Sequence, residues 1–468
     1  MPAAPSFLRG AALIAFTLTV SLDPTVLHAE TPASLAPVSL LVDEKSAASD
    51  SGVTSVPSPT EAAARLTSIF GGPFGERPKL TGAWFGMRDK LAVYGITLDA
   101  SLTQFFQGVA SGGKERAFEY GGKIDYFLNI DGNKAGLWKG FFVTMHAETR
   151  YGKDINDIDG MFSLGNFNMA LPKEGEDVTG VTRLILSQSL SDNFTVFAGK
   201  INNADDFELN FTGRNGIDRF MNSAVVANVI NGKTVPYSTY GAGFSVLPEK
   251  WPVVTFIVRD PDNHPTTIGL DRLFANGVFL SGSVNVPVTL LGLAGHQKFG
   301  VNWNSKKFTS VDPASFVNIP GQGIAAGQES SSWALWYNFD QYLWVSQSDT
   351  NVGWGVFGMT GISDGNPNPI RWNLTLGIGG NSLIPGREAD TFGVSYFHIG
   401  LSSDFKDLLA GPLAPPGLAQ RDEQGSELFY NAALTPWCHL TADLQLVQPS
   451  TKNLDTTVLA GARLKVDF

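Results

Sequence analysis

The sequence predicts an all-β protein, a transmembrane antiparallel up-and-down β-barrel of about 16 strands preceded by a short helical segment. Three observations predict it. From Ile96 to Phe468, polar and apolar residues alternate one by one in run after run, the period of a strand with two unlike faces. Many runs reach ~9–11 residues, the length a tilted strand needs to cross a bilayer, where soluble strands run ~5–6. The connections between runs alternate between long and short, as in barrels with long extracellular loops and tight periplasmic turns.

The composition agrees. Hydrophobic residues make up 43% and charged residues only 16%, where about a quarter is usual for a soluble chain. The 51 Gly and 32 Phe suit turn-rich β structure with exposed aromatics. The net charge is −11, and without residues 1–29, which hold Arg9 and Asp23, it is 32 − 43 = −11 again. An acidic chain without basic runs excludes nucleic acid as a partner. The lone Cys438 excludes an internal disulfide framework and a cysteine-based zinc site.

Residues 1–29 read as a secretory signal peptide. Arg9 supplies the positive start, Ala11–Val20 the apolar stretch and Leu27-His28-Ala29 a small residue at the cut. No other segment carries the ~20 consecutive apolar residues of a spanning helix. Residues 30–79 read as a flexible periplasmic linker, with Thr31–Pro59 rich in Ala, Ser, Pro and Val. Within it, Glu61–Phe70 has the makings of a short helix that Gly71-Gly72-Pro73 ends. Residues 80–95 read as a further short helix, with Leu80, Trp84, Met87 and Leu91 at helical spacing and Tyr94-Gly95 closing it. Residues 96–468 form the barrel domain.

Within the barrel, Thr97, Asp99, Ser101 and Thr103 alternate with Ile96, Leu98, Ala100 and Leu102. Lys123, Asp125, Asn129 and Asp131 alternate with Ile124, Tyr126, Leu128 and Ile130. The same rhythm sets Thr144, His146, Glu148 and Arg150 on one face, then Arg371, Asn373 and Thr375, then Thr441, Asp443 and Gln445, and last Arg463, Lys465 and Asp467. Apolar residues facing lipid and charged residues facing a wet lumen satisfy this pattern, and closure pairs every backbone group. The expected runs are 96–106, 119–130, 140–151, 179–190, 193–202, 239–248, 251–259, 276–286, 295–304, 333–344, 354–363, 371–380, 391–401, 426–435, 438–448 and 456–468. Trp138, Phe141, Trp251, Trp303, Trp333, Trp344, Trp354, Trp372, Phe392 and Trp437 fall near strand ends, as interfacial girdles do.

Two segments resemble the carbohydrate-selective porin family of Gram-negative outer membranes, the OprB type. The first is Leu80-Thr81-Gly82-Ala83-Trp84-Phe85-Gly86-Met87-Arg88-Asp89-Lys90-Leu91 running into Tyr94-Gly95-Ile96-Thr97-Leu98, with Phe85 where the family usually has Gly. The second runs from Glu427 to Phe468. It holds Leu434-Thr435-Pro436-Trp437, Asp443-Leu444-Gln445, Pro449, Gly461-Ala462-Arg463-Leu464 and the final Phe468. Phe197-Ala198-Gly199-Lys200-Ile201-Asn202 is also similar to the family. The resemblance covers residues 80–468. It implies an outer-membrane channel that lets mono- and small oligosaccharides diffuse passively into the periplasm, without cofactor, metal or energy source. It also implies outer-membrane lipid, lipopolysaccharide and the barrel-assembly machinery as partners, with Phe468 as the terminal aromatic that the machinery reads.

A pore that favours sugars needs groups to replace lost water, held weakly enough to release. The inward candidates are Asp99, Asp125, Glu148 and Asp443 against Lys123, Arg150, Arg183, Arg371 and Arg463, with Arg150 and Arg371 expected to govern flux. Carboxylates accept from hydroxyls and Arg donates to them. The stretch 205–237 is the candidate constriction loop, with Asp205, Asp206, Glu208, Arg214, Asp218 and Arg219; an outer surface loop or plug segment is the alternative.

Other readings stay open: a general or anion-selective porin, a membrane-embedded hydrolase, or a plugged adhesion barrel. Gly361-Ile362-Ser363-Asp364-Gly365 matches G-x-S-x-G, but Asn366-Pro367-Asn368-Pro369 follows where a nucleophile elbow needs a helix. Asp154-Ile155-Asn156-Asp157-Ile158-Asp159-Gly160 is calcium-loop-like but lacks the closing Glu, so a solvated loop is expected. No H-E-x-x-H pair occurs, and His146 is expected to be a lumen polar group.

Overall fold

The computed structural model describes residues 70–468 apart from 174–176, 206–208, 248–252, 321–322, 348, 351 and 413. Among the described residues, sixteen strands close into one barrel in sequence order. They are β1 (Ile96–Ser111), β2 (Phe118–Asp131), β3 (Phe141–Gly152), β4 (Val178–Ser191), β5 (Phe194–Asn202), β6 (Ser238–Val246), β7 (Val253–Arg259) and β8 (Phe279–Leu290). The second half is β9 (Leu293–Asn304), β10 (Ser332–Val345), β11 (Gly353–Ser363), β12 (Ile370–Asn381), β13 (Thr391–Leu401), β14 (Glu423–Thr435), β15 (Cys438–Gln448) and β16 (Thr457–Asp467). Each pairs antiparallel with the next, and β16 returns to β1. Every run expected from the alternation has its strand. The largest differences are β1, which continues to Ser111, and β8, which begins at Phe279 and ends at Leu290.

The register sorts the two faces. Lys123 lies opposite Arg150, and Asp125 opposite Glu148. All four are buried inside, as are Thr103, Thr375, Gln445 and Arg463. Leu98, Phe106, Leu184, Phe256, Val301, Leu376 and Leu446, on the other phase, are exposed. Trp138, Trp303, Trp333, Trp344 and Trp372 are exposed with them, while Trp251 lies outside the described residues. One end of the barrel carries short turns, such as 192–193, 291–292 and 436–437, and the other carries the long connections 153–177, 203–237, 260–278, 305–331 and 402–422. The long end is extracellular by the usual asymmetry.

Arg371 departs from the expected alternation. The β12–β13 pairing shifts register between Ile370 and Trp372. The extra residue steps out of the ladder, as a bulge does, and Arg371 is exposed beside 364–369, donating to the Ser363 carbonyl. It sits at the rim rather than in the row with Asn373 and Thr375.

Ahead of the barrel, helix α1 spans Met87–Val93. The helical spacing suggested a start at Leu80, but Gly82, Trp84, Phe85 and Gly86 all have positive φ, which a right-handed helix cannot contain. The turns this produces seat the segment on the seam between the first and last strands. Leu80 N–H donates to Asp467 O at 2.7 Å. Arg88 donates to Phe468 O at 3.0 Å and to Asp99 Oδ1 at 3.1 Å, and Lys79 also pairs with Asp99 at 3.1 Å. Part of the stretch read as linker is docked too: Trp437 Nε1 donates to Phe74 O at 2.8 Å, and their rings meet edge to face. Arg88→Ala is expected to lower barrel stability by about 1–2 kcal/mol, from two charge-assisted bonds at a part-exposed site. An unchanged urea midpoint for folded, heat-modifiable protein would contradict this.

Candidate functional site: a lumen narrowed by two inward loops

The connections after β3 and β5, over residues 153–173 and 209–237, fold back into the barrel. The second is almost wholly buried from Leu209 to Tyr237. It contains helix α2 (Ser223–Val226), which Asn222 caps by accepting from Ala224 N–H at 2.9 Å. Amide side chains of the wall take its backbone. Asn304 donates to Thr234 O at 2.7 Å, Asn368 to Ile230 O at 3.0 Å, and Asn431 to Asp218 O at 3.2 Å. Thr375 Oγ1 donates to Ala224 O at 2.7 Å. Asn210 and Asn228 donate in turn to Asp340 and Asn338. The loop therefore leans on the wall from β9 to β16.

Apolar contact reinforces this. Phe220 meets Phe357 and Phe429 edge to face at 5.5 and 4.7 Å, and Phe211 meets Tyr342 at 4.9 Å. These rings belong to one buried cluster that also takes Phe162 and Phe167 from the first loop. Glycines in the wall make the close approach available. A Cβ at Gly393 would lie 2.4 Å from the Phe220 ring, and one at Gly355 would lie 2.7 Å from Phe211.

On the facing wall, β2–β5 hold a charge cluster. Glu148 pairs with Lys123 and accepts from Tyr237 Oη at 2.6 Å and Asn202 Nδ2 at 3.2 Å. His146 stands between two carboxylates, Nε2 to Asp125 at 3.0 Å and Nδ1 to Asp205 at 2.9 Å. Both ring nitrogens face acceptors, the arrangement an imidazolium with two N–H donors satisfies. Arg183 approaches Asp205 at 3.9 Å. The donor atoms of Asp125, His146 and Glu148 come within 4.8 Å of one another, close enough for a cation. The Lys123 ammonium already occupies Glu148, however, and neither imidazole nitrogen is left for a metal.

The structure thus brings together Lys123, Asp125, Glu148, Arg183 and Asp205 from the sequence candidates, with His146 at the centre. Arg463 and Asp443 lie on the other side of β1, on β16 and β15. Arg463 donates to Gly216 O at 2.7 Å and to Thr441 Oγ1 at 3.0 Å, and Asp443 accepts from Gln445 at 3.0 Å. Arg214 and Lys465 both pair with Asp218, at 3.3 and 2.9 Å. Burial alone would raise the Asp218 carboxyl, but Lys465, Arg214 and Arg463 hold it well below the usual carboxylate range, so it stays ionised. Arg219 packs on Gly213. Asp206 and Glu208 lie outside the described residues. Arg150 is buried, pairing with Asp154 and donating to Met169 O at 2.5 Å, so it anchors the first loop. Asp99 stands at the periplasmic end, held by Lys79 and Arg88.

The 154–160 stretch is not a solvated loop. Asp154 is held by Arg150, and buried Asp159 accepts from Met161 N–H at 2.9 Å and Gly165 N–H at 3.3 Å. Gly361–Ser363 ends a strand, and Ser363 Oγ donates to Ile370 O at 2.6 Å; the next strand follows without an intervening helix. The alternation missed Glu423, Glu427, Phe357 and Phe429. Each was readable as an inward-phase residue of unusual size or charge, but nothing local says that a loop will come to meet it.

A closed sixteen-strand barrel, apolar outside and narrowed inside by folded-in loops bearing charges of both signs, is an outer-membrane porin. Residues 115–468 match the family described as carbohydrate-selective porin, OprB family. The chain belongs to that family and is a passive outer-membrane channel for carbohydrates. Its fold is similar to a high-pH structure of Pseudomonas putida OprB, 19% identical over 85% of this chain and 100% of that one, with a TM-score of 0.73. A low-pH structure of the same Pseudomonas protein matches at 14% identity over 84% of this chain and 99% of that one, with a TM-score of 0.53. No curated protein matches the chain.

Proposed function

We propose that sugars pass beside the second inward loop, touching the charges along the lumen that keep partial exposure. These are Arg183, Asp205, Arg214, Asp218, His296 and Lys465, with side chains 11–37% exposed. The observation that carries the reading is this set of paired, part-wet charges beside a loop packed into the lumen. Paired signs offer donors and acceptors to hydroxyls without a strong field for one ion type. Solute crosses unchanged, with no catalytic step. Residues 1–29 direct export and are removed, the barrel-assembly machinery reads Phe468, and lipid with lipopolysaccharide surrounds the exposed apolar belt.

Planar-bilayer conductance titrated with glucose tests the reading. Sugar resident among these groups is expected to reduce ion current in a saturable way, and liposomes are expected to swell faster in glucose than in a non-sugar solute of equal size. Unsaturable current with equal swelling rates would assign a general porin instead.

A further inference from the structure

Two carboxylates the passage does not use sit on the inward face of β14, four residues apart. Glu423 accepts from Phe162 N–H at 2.5 Å and Ser163 N–H at 2.6 Å, both from the first inward loop. Glu427 accepts from Met221 and Asn222 N–H, both from the second. Each carboxylate thus takes two successive backbone amides of a different loop, and both are fully buried. The loops are also joined to each other at this point. Phe167 N–H donates to Met221 O at 2.9 Å, Ser223 N–H to Leu164 O at 2.9 Å, and Leu164 N–H to Ser223 Oγ at 2.9 Å. Gln445 on β15 completes the junction by accepting from Asn222 Nδ2 at 3.0 Å and donating to Gly165 O at 2.8 Å.

We infer that Glu423 and Glu427 are the positioning residues of the channel: they clip both inward loops to β14 as one body and thereby set the width through which sugar passes. The inference rests on the passage proposed above. Backbone amides carry no sequence preference of their own, so the wall must supply the acceptors that fix where each loop stops. A carboxyl side chain is suited to this, because its two oxygens match two adjacent N–H groups. Since the loops bond to each other at the clip, freeing either displaces both, and the effects of the two residues are coupled.

The test compares Glu427→Gln, Glu427→Ala, Glu423→Gln and the double Glu423→Gln/Glu427→Gln variant with Leu428→Ala, the lipid-facing neighbour on the same strand. An amide keeps the shape but turns an NH2 toward one backbone N–H, whereas alanine accepts nothing. Single-channel conductance and the sugar size cut-off are expected to rise in the order Leu428→Ala (unchanged), Glu427→Gln, Glu427→Ala, with the last several-fold above the parent. The double variant is expected to exceed neither single by much. Heat-modifiable mobility on gels shows in each case that the barrel has closed. Folded Glu427→Ala and double variants with parental conductance and cut-off would overturn the inference. So would additive single effects, which place the loops under separate control. Loss of sugar block in the parent channel would instead sink the passage proposed above.

Discussion

Removal of residues 210–235, with a short Gly-Ser bridge from Leu209 to Pro236, is expected to raise single-channel conductance several-fold and abolish saturable block by glucose. At the base of the loop Asn203 N–H donates to Tyr237 O at 2.9 Å, so the strands that flank the deletion stay joined. The deleted residues include Phe211, Phe220 and the Val225–Ile230 stretch, which fill the lumen against Phe357, Phe397 and Phe429. Without them, water replaces apolar contacts on the inner wall. The ladder from β1 to β16 is complete without the loop, so the barrel still closes. Conductance and block equal to the parent channel, in protein shown to be folded, would mean that the loop does not narrow the path.

The largest stability effect is expected at Glu148. Glu148→Ala leaves the buried Lys123 ammonium with Leu171 O at 3.2 Å and without its paired carboxylate. Breaking a buried ion pair on one side costs about 3–5 kcal/mol, while replacing both partners by apolar residues of similar size is often neutral. Glu148→Ala should therefore lower the urea midpoint strongly, and Lys123→Met with Glu148→Leu should recover most of the loss. A double variant no better than the single would show that Tyr237 and Asn202, which also bond to Glu148, carry the stability instead.

The wall was legible because a bilayer outside and water inside impose one rule on every strand, and that rule repeats at each residue. Lys123, Asp125 and Glu148 could be placed inward from their phase alone, and the register brought them together. Arg371 failed for a local reason: one bulged residue shifts the phase, and no side chain announces it. The interior was only half legible. That 205–237 is long and charged marked it as a candidate, but whether it lies inside depends on partners such as Asn304, Asn368, Asn431 and Glu427, far along the chain. Amides and carboxylates on an inward phase look the same whether they face water or a loop backbone. His146 was foreseen as polar and inward, but not as the residue bracketed by Asp125 and Asp205, because Asp205 reaches it from another element.

Arg88 grips an oxygen 380 positions away in the chain. Its receptor consists of Asp99 near the beginning of the first strand and Phe468 just past the end of the last, side by side. That receptor comes into being only when the ring has shut. The stretch ahead of the barrel thus has its full set of partners only in the completed cylinder.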